Sequence, residues 1–128
     1  MWLHVCAGPV ICAGCVPVFY AGLGGSKCFR IPTILRTHTG TLLAFAENRK
    51  GSCGDDGQHA LVLRRSADEG KSWGDMIEIV AGVAPCPKCP AAVSNPNPVE
   101  VTLTDGSKAV LVSGLSQRTQ LRRPINVK

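Results

Sequence analysis

The sequence predicts an all-β fold made of short strands joined by turns. Runs of apolar and β-branched residues alternate with turn-forming segments at intervals of about 8–14 residues, close to the spacing typical of a sandwich, a barrel or a propeller. No window of helical length carries the hydrophobic period of ~3.6 residues that marks an amphipathic helix. The length of 128 residues indicates a single domain.

The predicted strands follow the chain in order, with turn signals between them. They are segments 16–21, 29–37, 42–47, 59–65, 73–80, 99–103 and 109–112. Segment 42–47 is largely apolar, as expected of a strand buried on both faces. Pro32 must occupy a position that donates no hydrogen bond to a neighbouring strand. Segments 48–58 and 81–97 are predicted to be loops because they are rich in Gly, Ser, Asp, Pro or Cys.

Composition and charge exclude several classes of protein. Hydrophobic residues make up 45% of the chain and charged residues 18%, which excludes a strongly disordered chain. No apolar run approaches the ~18 residues that a membrane-spanning helix needs. The net charge of +5 is concentrated in residues 114–128, which hold Arg118, Arg122, Arg123 and Lys128 and no acidic residue. This basic tail is short and has no aromatic residue, so we expect no nucleic-acid partner.

The cysteines leave the redox state of the chain open. Their number, seven, is odd, so they cannot all pair within one chain: Cys6, Cys12, Cys15, Cys28, Cys53, Cys86 and Cys89. The pairs Cys12/Cys15 and Cys86/Cys89 have CxxC spacing. They lie much further apart than the about 15–20 residues that separate the two knuckles of a zinc ribbon. Free thiols are therefore favoured over a local disulfide, and a zinc site comes last.

Residues 1–16 are apolar and rich in small residues. A secretory signal begins with basic residues and continues as an unbroken apolar stretch. This segment has no Lys or Arg, and Gly8-Pro9 interrupts it. We therefore treat it as an unassigned leader.

One turn signal is much more specific than the others. Residues 66–73, Ser-Ala-Asp-Glu-Gly-Lys-Ser-Trp, fit the Asp-box pattern S-x-D-x-G-x-[ST]-W at all five defined positions: Ser66, Asp68, Gly70, Ser72 and Trp73. The aspartate can accept backbone N–H bonds across the turn, and the glycine tolerates positive φ. The motif is a structural marker of a β-hairpin with a tryptophan packed beneath it. A chance Asp-Glu-Gly hairpin is the alternative.

A second motif, Cys28-Phe-Arg-Ile-Pro32, precedes the Asp box. Between them lie the strand-like segment 40–49, Gly-Thr-Leu-Leu-Ala-Phe-Ala-Glu-Asn-Arg, and the dipeptide Asp55-Asp56. In this order the motifs resemble the exo-α-sialidase (neuraminidase) family, in particular its animal lysosomal-type and related bacterial members. The resemblance extends over about residues 17–113.

The resemblance implies a fold and a reaction. The fold is a six-bladed β-propeller of four-stranded blades, of which this chain contains about the first one to two. The reaction removes terminal sialic acid, with retention, from glycoproteins, oligosaccharides or gangliosides, and it uses a tyrosine as the nucleophile. Sialylated glycans are thus the implied partners, and no cofactor or metal is implied. The localisation stays open between lysosome, cytoplasm and membrane.

The resemblance also implies roles for three residues. Arg30 matches the first of three arginines that bind the substrate carboxylate, a task suited to a planar guanidinium that never loses its charge. Asp55 matches the general acid/base, with the adjacent Asp56 as second choice. Arg49 matches an arginine near the sugar hydroxyls. The alternatives are a salt-bridged surface arginine and solvated loop carboxylates.

These expectations divide the chain into a leader (1–16), the N-terminal part of a propeller domain (17–113) and a non-homologous basic tail (114–128). A complete propeller of this kind needs a chain several times longer, and Tyr20 precedes the Phe-Arg-Ile-Pro motif and so cannot match the nucleophile. We therefore expect a sialidase fragment that is inactive alone and only marginally folded. The alternatives are a non-catalytic sialoside-binding or interaction fragment, and an unrelated all-β domain with a zinc knuckle.

Overall fold

Two antiparallel sheets account for most of the computed structural model, which describes residues 5–6, 15–55, 57–82, 92–116 and 120–125. In chain order the elements are β1 (Val5–Cys6), β2 (Phe19–Tyr20), a short 3₁₀ helix (Leu23–Gly25), β3 (Cys28–Arg36), β4 (Leu42–Arg49), β5 (His59–Ser66), β6 (Ile77–Val80), β7 (Val93–Thr102), β8 (Lys108–Ser116) and β9 (Gln120–Ile125). The strands β1 and β2 form a small parallel pair. No α-helix occurs among these elements of the described ranges, and the predicted all-β class is confirmed.

The first sheet has the order β3-β4-β5-β6, with every pair of neighbours antiparallel. All residues of β4 are buried, and for its apolar part, 42–46, this agrees with the predicted inner strand covered on both faces. The strand continues to Arg49, so the predicted loop over 48–58 is wrong for its first two residues. On one face Leu43 and Phe45 point towards the second sheet, and on the other Ala44 and Ala46 pack against β2 and β3 residues. Because side chains alternate along a strand, a continuous apolar run fills both layers.

A bulge interrupts β3 at the Phe-Arg-Ile-Pro motif. The register with β4 shifts between Arg30 and Thr33, and Ile31 has a left-handed φ of 50°. Pro32 therefore lies in the bulge, where no backbone N–H is needed for pairing, which agrees with the position predicted for it. Arg30 is the last residue before the bulge and faces Glu47 on β4.

The second sheet has the order β7-β8-β9, again antiparallel. Its first strand begins at Val93, so the predicted loop over 81–97 is wrong for its last five residues. The prolines of β7 disguise the strand: a register shift between Ser94 and Asn97, with Asn95 at φ 56°, accommodates Pro96, and Pro98 pairs with Val112. The basic tail, for which no strand was predicted, contributes β9.

Two predicted strands are shorter than expected, at 19–20 instead of 16–21 and at 77–80 instead of 73–80. The guanidinium of Arg64 explains why both strands are shorter. It donates to the carbonyl oxygens of Val18 (2.7 Å), Trp73 (2.8 Å) and Gly74 (2.7 Å), so a side chain satisfies backbone groups that a longer strand would have paired.

The core lies in two layers on either side of β4 and β5. The layer between the sheets consists of Leu43, Phe45, Leu61, Leu63, Val93, Val110 and Val112. The outer layer consists of Val18, Phe19, Phe29, Ala44, Ala46 and Val62. In the outer layer the rings of Phe19 and Phe29 stack with centroids 5.1 Å apart. The first sheet thus has a second sheet on one face and the β2 segment on the other.

Replacing Leu61 with alanine is expected to lower the free energy of unfolding by about 2–5 kcal/mol, because a fully buried side chain between the sheets is removed. Ile77→Ala is the matched control. Ile77 is 50% exposed, and its truncation should change stability by about 0.5 kcal/mol or less. Urea unfolding followed by circular dichroism measures both. Equal losses in the two variants would contradict the core between the sheets.

Candidate functional site

Three predicted site residues come together at one end of the first sheet. Asp55 Oδ1 lies 2.9 Å from Nη1 of Arg30 and 2.8 Å from Nη1 of Arg49. The arginines come from the adjacent strands β3 and β4, and the aspartate comes from the loop over residues 50–58 that joins β4 to β5. The side chains of Arg30 and Asp55 are 44% and 80% exposed, whereas that of Arg49 is only 2% exposed. Asp56 lies outside the described residues.

The buried Arg49 is neutralised by Glu47, a residue that was not predicted. Both Nε (3.0 Å) and Nη2 of Arg49 donate to Glu47 Oε2. The other oxygen, Oε1, accepts a hydrogen bond from the backbone N–H of Asn95 on β7, at 2.9 Å. Glu47 and Arg49 are two residues apart on β4 and therefore share a face of the sheet. The sequence did contain a signal for this pair: a glutamate and an arginine two residues apart at the end of an apolar strand.

Arg49 also holds the backbone of the 50–58 loop. Its Nη1 donates to the carbonyl oxygens of Cys53 (2.8 Å) and Gly54 (2.7 Å). The same nitrogen carries the ion pair with Asp55, so two N–H bonds are shared among three acceptors. In this structure the contacts of Arg49 are thus to the protein itself.

The charges around Asp55 fix its ionisation. The hydrogen bond from Arg49, followed by the charge of Arg30, holds the pKa of Asp55 below its usual range. Burial works to lower the pKa of Arg49, but the hydrogen bonds and charges of Glu47 and Asp55 outweigh it and raise that pKa. Both shifts favour the ionised forms of Asp55 and Arg49 and so strengthen the ion pair between them.

His59 anchors the loop from its other end. The side chain is fully buried, with Nε2 3.1 Å from the carbonyl oxygen of Gly54 and Nδ1 3.3 Å from Oγ of Ser94. A carbonyl oxygen only accepts, so Nε2 donates to Gly54, and Nδ1 lies within hydrogen-bonding distance of the serine hydroxyl. The loop is thereby connected to β7 of the second sheet. Nothing in the single sequence had marked His59 for this position.

A disulfide joins Cys28, the first residue of β3, to Cys53 in the same loop, with a Cα–Cα distance of 6.0 Å. Cys15 is also disulfide-bonded. The preference for free thiols is therefore wrong for these three residues. The knuckle Cys86/Cys89 lies outside the described residues. Within the ranges that the structure covers, no group of three or more His, Cys, Asp or Glu residues could hold a metal ion.

Two cavities have linings that do not include Asp55. One of about 490 Å³ opens on the face of β7 and β8, around Asn97, Val99 and Leu111. Another of about 220 Å³ lies at the β3–β4 turn, around His38 and Glu100. The cluster of Arg30 and Asp55 is instead an open, charged surface, which can bind a carboxylate through the exposed guanidinium.

The turn over residues 66–73 lies at the opposite end of β5 from the 50–58 loop. Asp68 organises it. Its Oδ1 accepts from Ser66 Oγ (2.7 Å) and from the backbone N–H of Ser72 (2.9 Å), and its Oδ2 accepts from Ser72 Oγ (2.6 Å). Gly70 has φ 87° and donates its N–H to Ser66 Oγ. Trp73 packs against the outer core layer. The geometry is that of a structural turn.

The sequence comparisons find sialidases, while no family model matches. The chain is 38% identical over 81 residues to an exo-alpha-sialidase from Aspergillus fumigatus and 35% identical over 81 residues to one from Arthroderma benhamiae, covering 59% of this chain in each case. It is 44% identical over 62 residues to a sialidase from Bacteroides fragilis, covering 48% of this chain. The chain is related to the sialidases. The predicted resemblance is thus confirmed.

The coverage of these relatives is partial. The matched segment spans 18% of the length of each of the two fungal sialidases and 11% of the bacterial one. Among solved structures, the Hadza microbial sialidase Hz136 matches with a TM-score of 0.57 and 24% identity, over 77% of this chain and 20% of that chain. This likeness concerns the fold, and it agrees with the predicted all-β fold of a partial sialidase propeller. The roles of individual residues and the domain boundaries stay predictions.

No helix among the described residues is long and apolar enough to cross a membrane.

Stability is expected to decrease in acid because of Asp68. Hydrogen bonds from Ser72, then from Ser66, lower the pKa of Asp68 from 3.8 to about 2. A group with a lowered native pKa stabilises the fold above its unfolded pKa and loses that contribution as the pH falls through the native pKa. Melting temperatures measured between neutral pH and pH about 2 should therefore fall more steeply below 3.8 in the wild type than in D68N. The variant D75N, which removes a carboxyl outside the turn, controls for the loss of one acidic charge. Parallel curves for the wild type and D68N would contradict the prediction.

Replacing Glu47 with glutamine is expected to destabilise the chain by about 3 kcal/mol, because it leaves the buried guanidinium of Arg49 without its main counter-charge. E78Q is the matched control, since Glu78 pairs with Lys50 on the surface and such a pair contributes at most about 1 kcal/mol. Urea unfolding at neutral pH measures both variants. A loss in E47Q no larger than that in E78Q would show that the buried pair is not needed.

Proposed function

We propose that this chain provides part of the active site of an exo-α-sialidase, which hydrolyses terminal sialic acid from glycoproteins, oligosaccharides or gangliosides. The relationship to sialidases supports the reaction class. The observation that carries the assignment of a site is the convergence of Arg30 and Arg49 on the carboxylate of Asp55, at 2.9 and 2.8 Å. An exposed arginine beside a carboxylate on a loop provides both an anion-binding group and a proton-transfer group.

Arg30 is proposed to bind the carboxylate of sialic acid. Its guanidinium is almost half exposed, and its partner Asp55 occupies only one of its terminal nitrogens. A planar guanidinium can form two parallel hydrogen bonds with a carboxylate. The bulge that follows Arg30 supports this role, because it separates the paired segment 28–30, at the end of the sheet that carries the 50–58 loop, from the rest of β3.

Asp55 is proposed to be the general acid/base. A general acid must be protonated when the leaving group departs, and the free site holds Asp55 ionised between two arginines. A substrate carboxylate bound to Arg30 would neutralise one of these positive charges and add a negative charge nearby. Both effects favour the protonated form of Asp55.

Arg49 is proposed to position the loop that carries Asp55. Its guanidinium is buried and holds the carbonyls of Cys53 and Gly54 in addition to the carboxylate. The contact with sugar hydroxyls implied by the family resemblance stays a prediction for this residue.

The remaining assignments are also proposals. Residues 17–113 are proposed as part of a propeller domain, with 1–16 as a leader and 114–128 as a tail, although β9 pairs with β8 from within that tail. The turn over 66–73 is proposed as an Asp box that stabilises a blade hairpin, and its hydrogen bonds through Asp68 support that role.

Binding of free sialic acid tests the proposal on the chain itself. Titration followed by ¹H–¹⁵N NMR should show shifts centred on Arg30 and the 50–58 loop. R30A should weaken binding at least about tenfold, since a charge-assisted hydrogen bond contributes about 1.5–3 kcal/mol and ~1.4 kcal/mol is a factor of ten. R36A, on the same strand at the opposite end of the sheet, is the matched control. D55N should bind more tightly than the wild type because it removes a competing carboxylate.

The same samples are assayed for release of sialic acid from a fluorogenic sialoside. Hydrolysis by the wild-type chain that is lost in D55N would support the hypothesis that this chain is catalytically active by itself. Binding without hydrolysis would support the alternative, a sialoside-binding fragment. Equal affinities of R30A, R36A and the wild type would contradict both functions at this site.

A further inference from the structure

Two cross-links between β3 and the 50–58 loop span the same sequence interval. The disulfide joins residues 28 and 53, and the ion pair joins residues 30 and 55, so each links positions 25 residues apart. The two links are therefore neighbours, with one residue between them on the strand and one residue between them on the loop.

The strand half of this arrangement is rigid. Cys28 and Arg30 lie on one face of β3, because side chains two residues apart in a strand point the same way. Phe29 points the other way into the outer core layer, where it stacks on Phe19. Pairing with β4 fixes the backbone of all three residues. The disulfide partner of Cys28 is thereby held close to Arg30.

The loop half has little rigidity of its own. Most of its residues are exposed, and Gly51, Ser52, Gly54 and Gly57 give its backbone much conformational freedom. Among the described residues, the backbone of the loop is held by Arg49 and His59 at the carbonyls of Cys53 and Gly54. The hydrogen bonds of Arg49 come from a nitrogen that is shared with Asp55. A covalent bond at Cys53 removes conformations of the loop that these shared hydrogen bonds leave accessible.

We propose that the Cys28–Cys53 disulfide is a positioning device for Asp55, which fixes the loop in the register that places the Asp55 carboxylate between Arg30 and Arg49. The identification of Asp55 as acid/base residue rests on the proposed function, but the positioning of its carboxylate does not. A dithiol reductant that donates two electrons and two protons breaks the S–S bond, gives the two cysteine thiols, and is itself oxidised to a disulfide. Reduction thus releases the loop while Arg30 stays on β3.

The first test is covalent. Peptide mass mapping of the oxidised chain under non-reducing conditions should recover a linked pair of peptides that contains Cys28 and Cys53. Its absence from folded, oxidised protein overturns the proposal.

The second test follows the ionisation of Asp55. The side-chain carboxyl groups of ¹³C-labelled protein are titrated by NMR downward from neutral pH. In the double variant C28S/C53S the pKa of Asp55 should rise towards its ordinary value of 3.8, because the carboxylate no longer stays between the arginines. Hydrogen exchange of the 50–58 amides at neutral pH should become faster in the same variant. The double variant C86S/C89S, which also lacks two cysteines, should titrate like the wild type.

Asp68 provides an internal control in every sample. Its carboxyl is held by Ser66 and Ser72 in the turn at the other end of β5, so its pKa should stay at about 2 in C28S/C53S. An unchanged pKa of Asp55 in that variant overturns the proposal, because the hydrogen bonds to Arg49 and His59 would then suffice. A pKa of Asp68 that rises together with that of Asp55 also overturns it, since the disulfide would then support the whole fold and not the loop.

These measurements contain no sialic acid. A chain that fails to bind sialic acid but shows the predicted change at Asp55 would contradict the proposed function and leave the positioning role supported. The reverse result would contradict the positioning role alone.

Discussion

The buried pair of Glu47 and Arg49 is the interaction on which the candidate site depends. Burying two charges in an apolar strand costs free energy unless each finds its partner and the remaining polar atoms are satisfied. Here the carboxylate meets that requirement by bonding both the guanidinium and the N–H of Asn95 on the second sheet. The guanidinium uses its remaining donors on the loop that carries Asp55. One pair thus connects β4, the second sheet and the loop.

Two bulges make this connection geometrically possible. Each contains a proline, Pro32 in β3 and Pro96 in β7, and each begins with a residue in the left-handed region, Ile31 and Asn95 respectively. Left-handed φ is costly for a β-branched residue such as Ile31 and is maintained only where the surroundings determine it. The first bulge directly follows Arg30, which stays paired with Glu47, and the second aims the Asn95 N–H at Glu47. Among the described residues, two of the three non-glycine residues with left-handed φ, Ile31 and Asn95, thus lie beside the charged cluster, and the third, Glu69, lies in the turn over 66–73.

Local patterns predicted most of the strands, because apolar runs and turn residues reflect forces within a few positions of the chain. Only the family motifs predicted that Arg30 and Asp55 belong to one site. Other features depend on distant partners. The proline-rich start of β7 forms a strand because β8 pairs with it. The Cys28–Cys53 bond could not be chosen among seven cysteines without a fold. Arg64 resembles any surface arginine until three carbonyls, one of them 46 residues away, converge on it.

The charge balance of the cluster links its structure to the proposed chemistry. Arg30, Arg49, Glu47 and Asp55 carry two positive and two negative charges, so the free site has no net charge to spare for an anion. A bound substrate carboxylate makes the group net negative, and protonation of one carboxylate restores the balance. Glu47 is buried with both of its oxygens accepting hydrogen bonds, whereas Asp55 is 80% exposed at the tip of a loop. This difference in exposure is why the proposed function assigns the proton to Asp55.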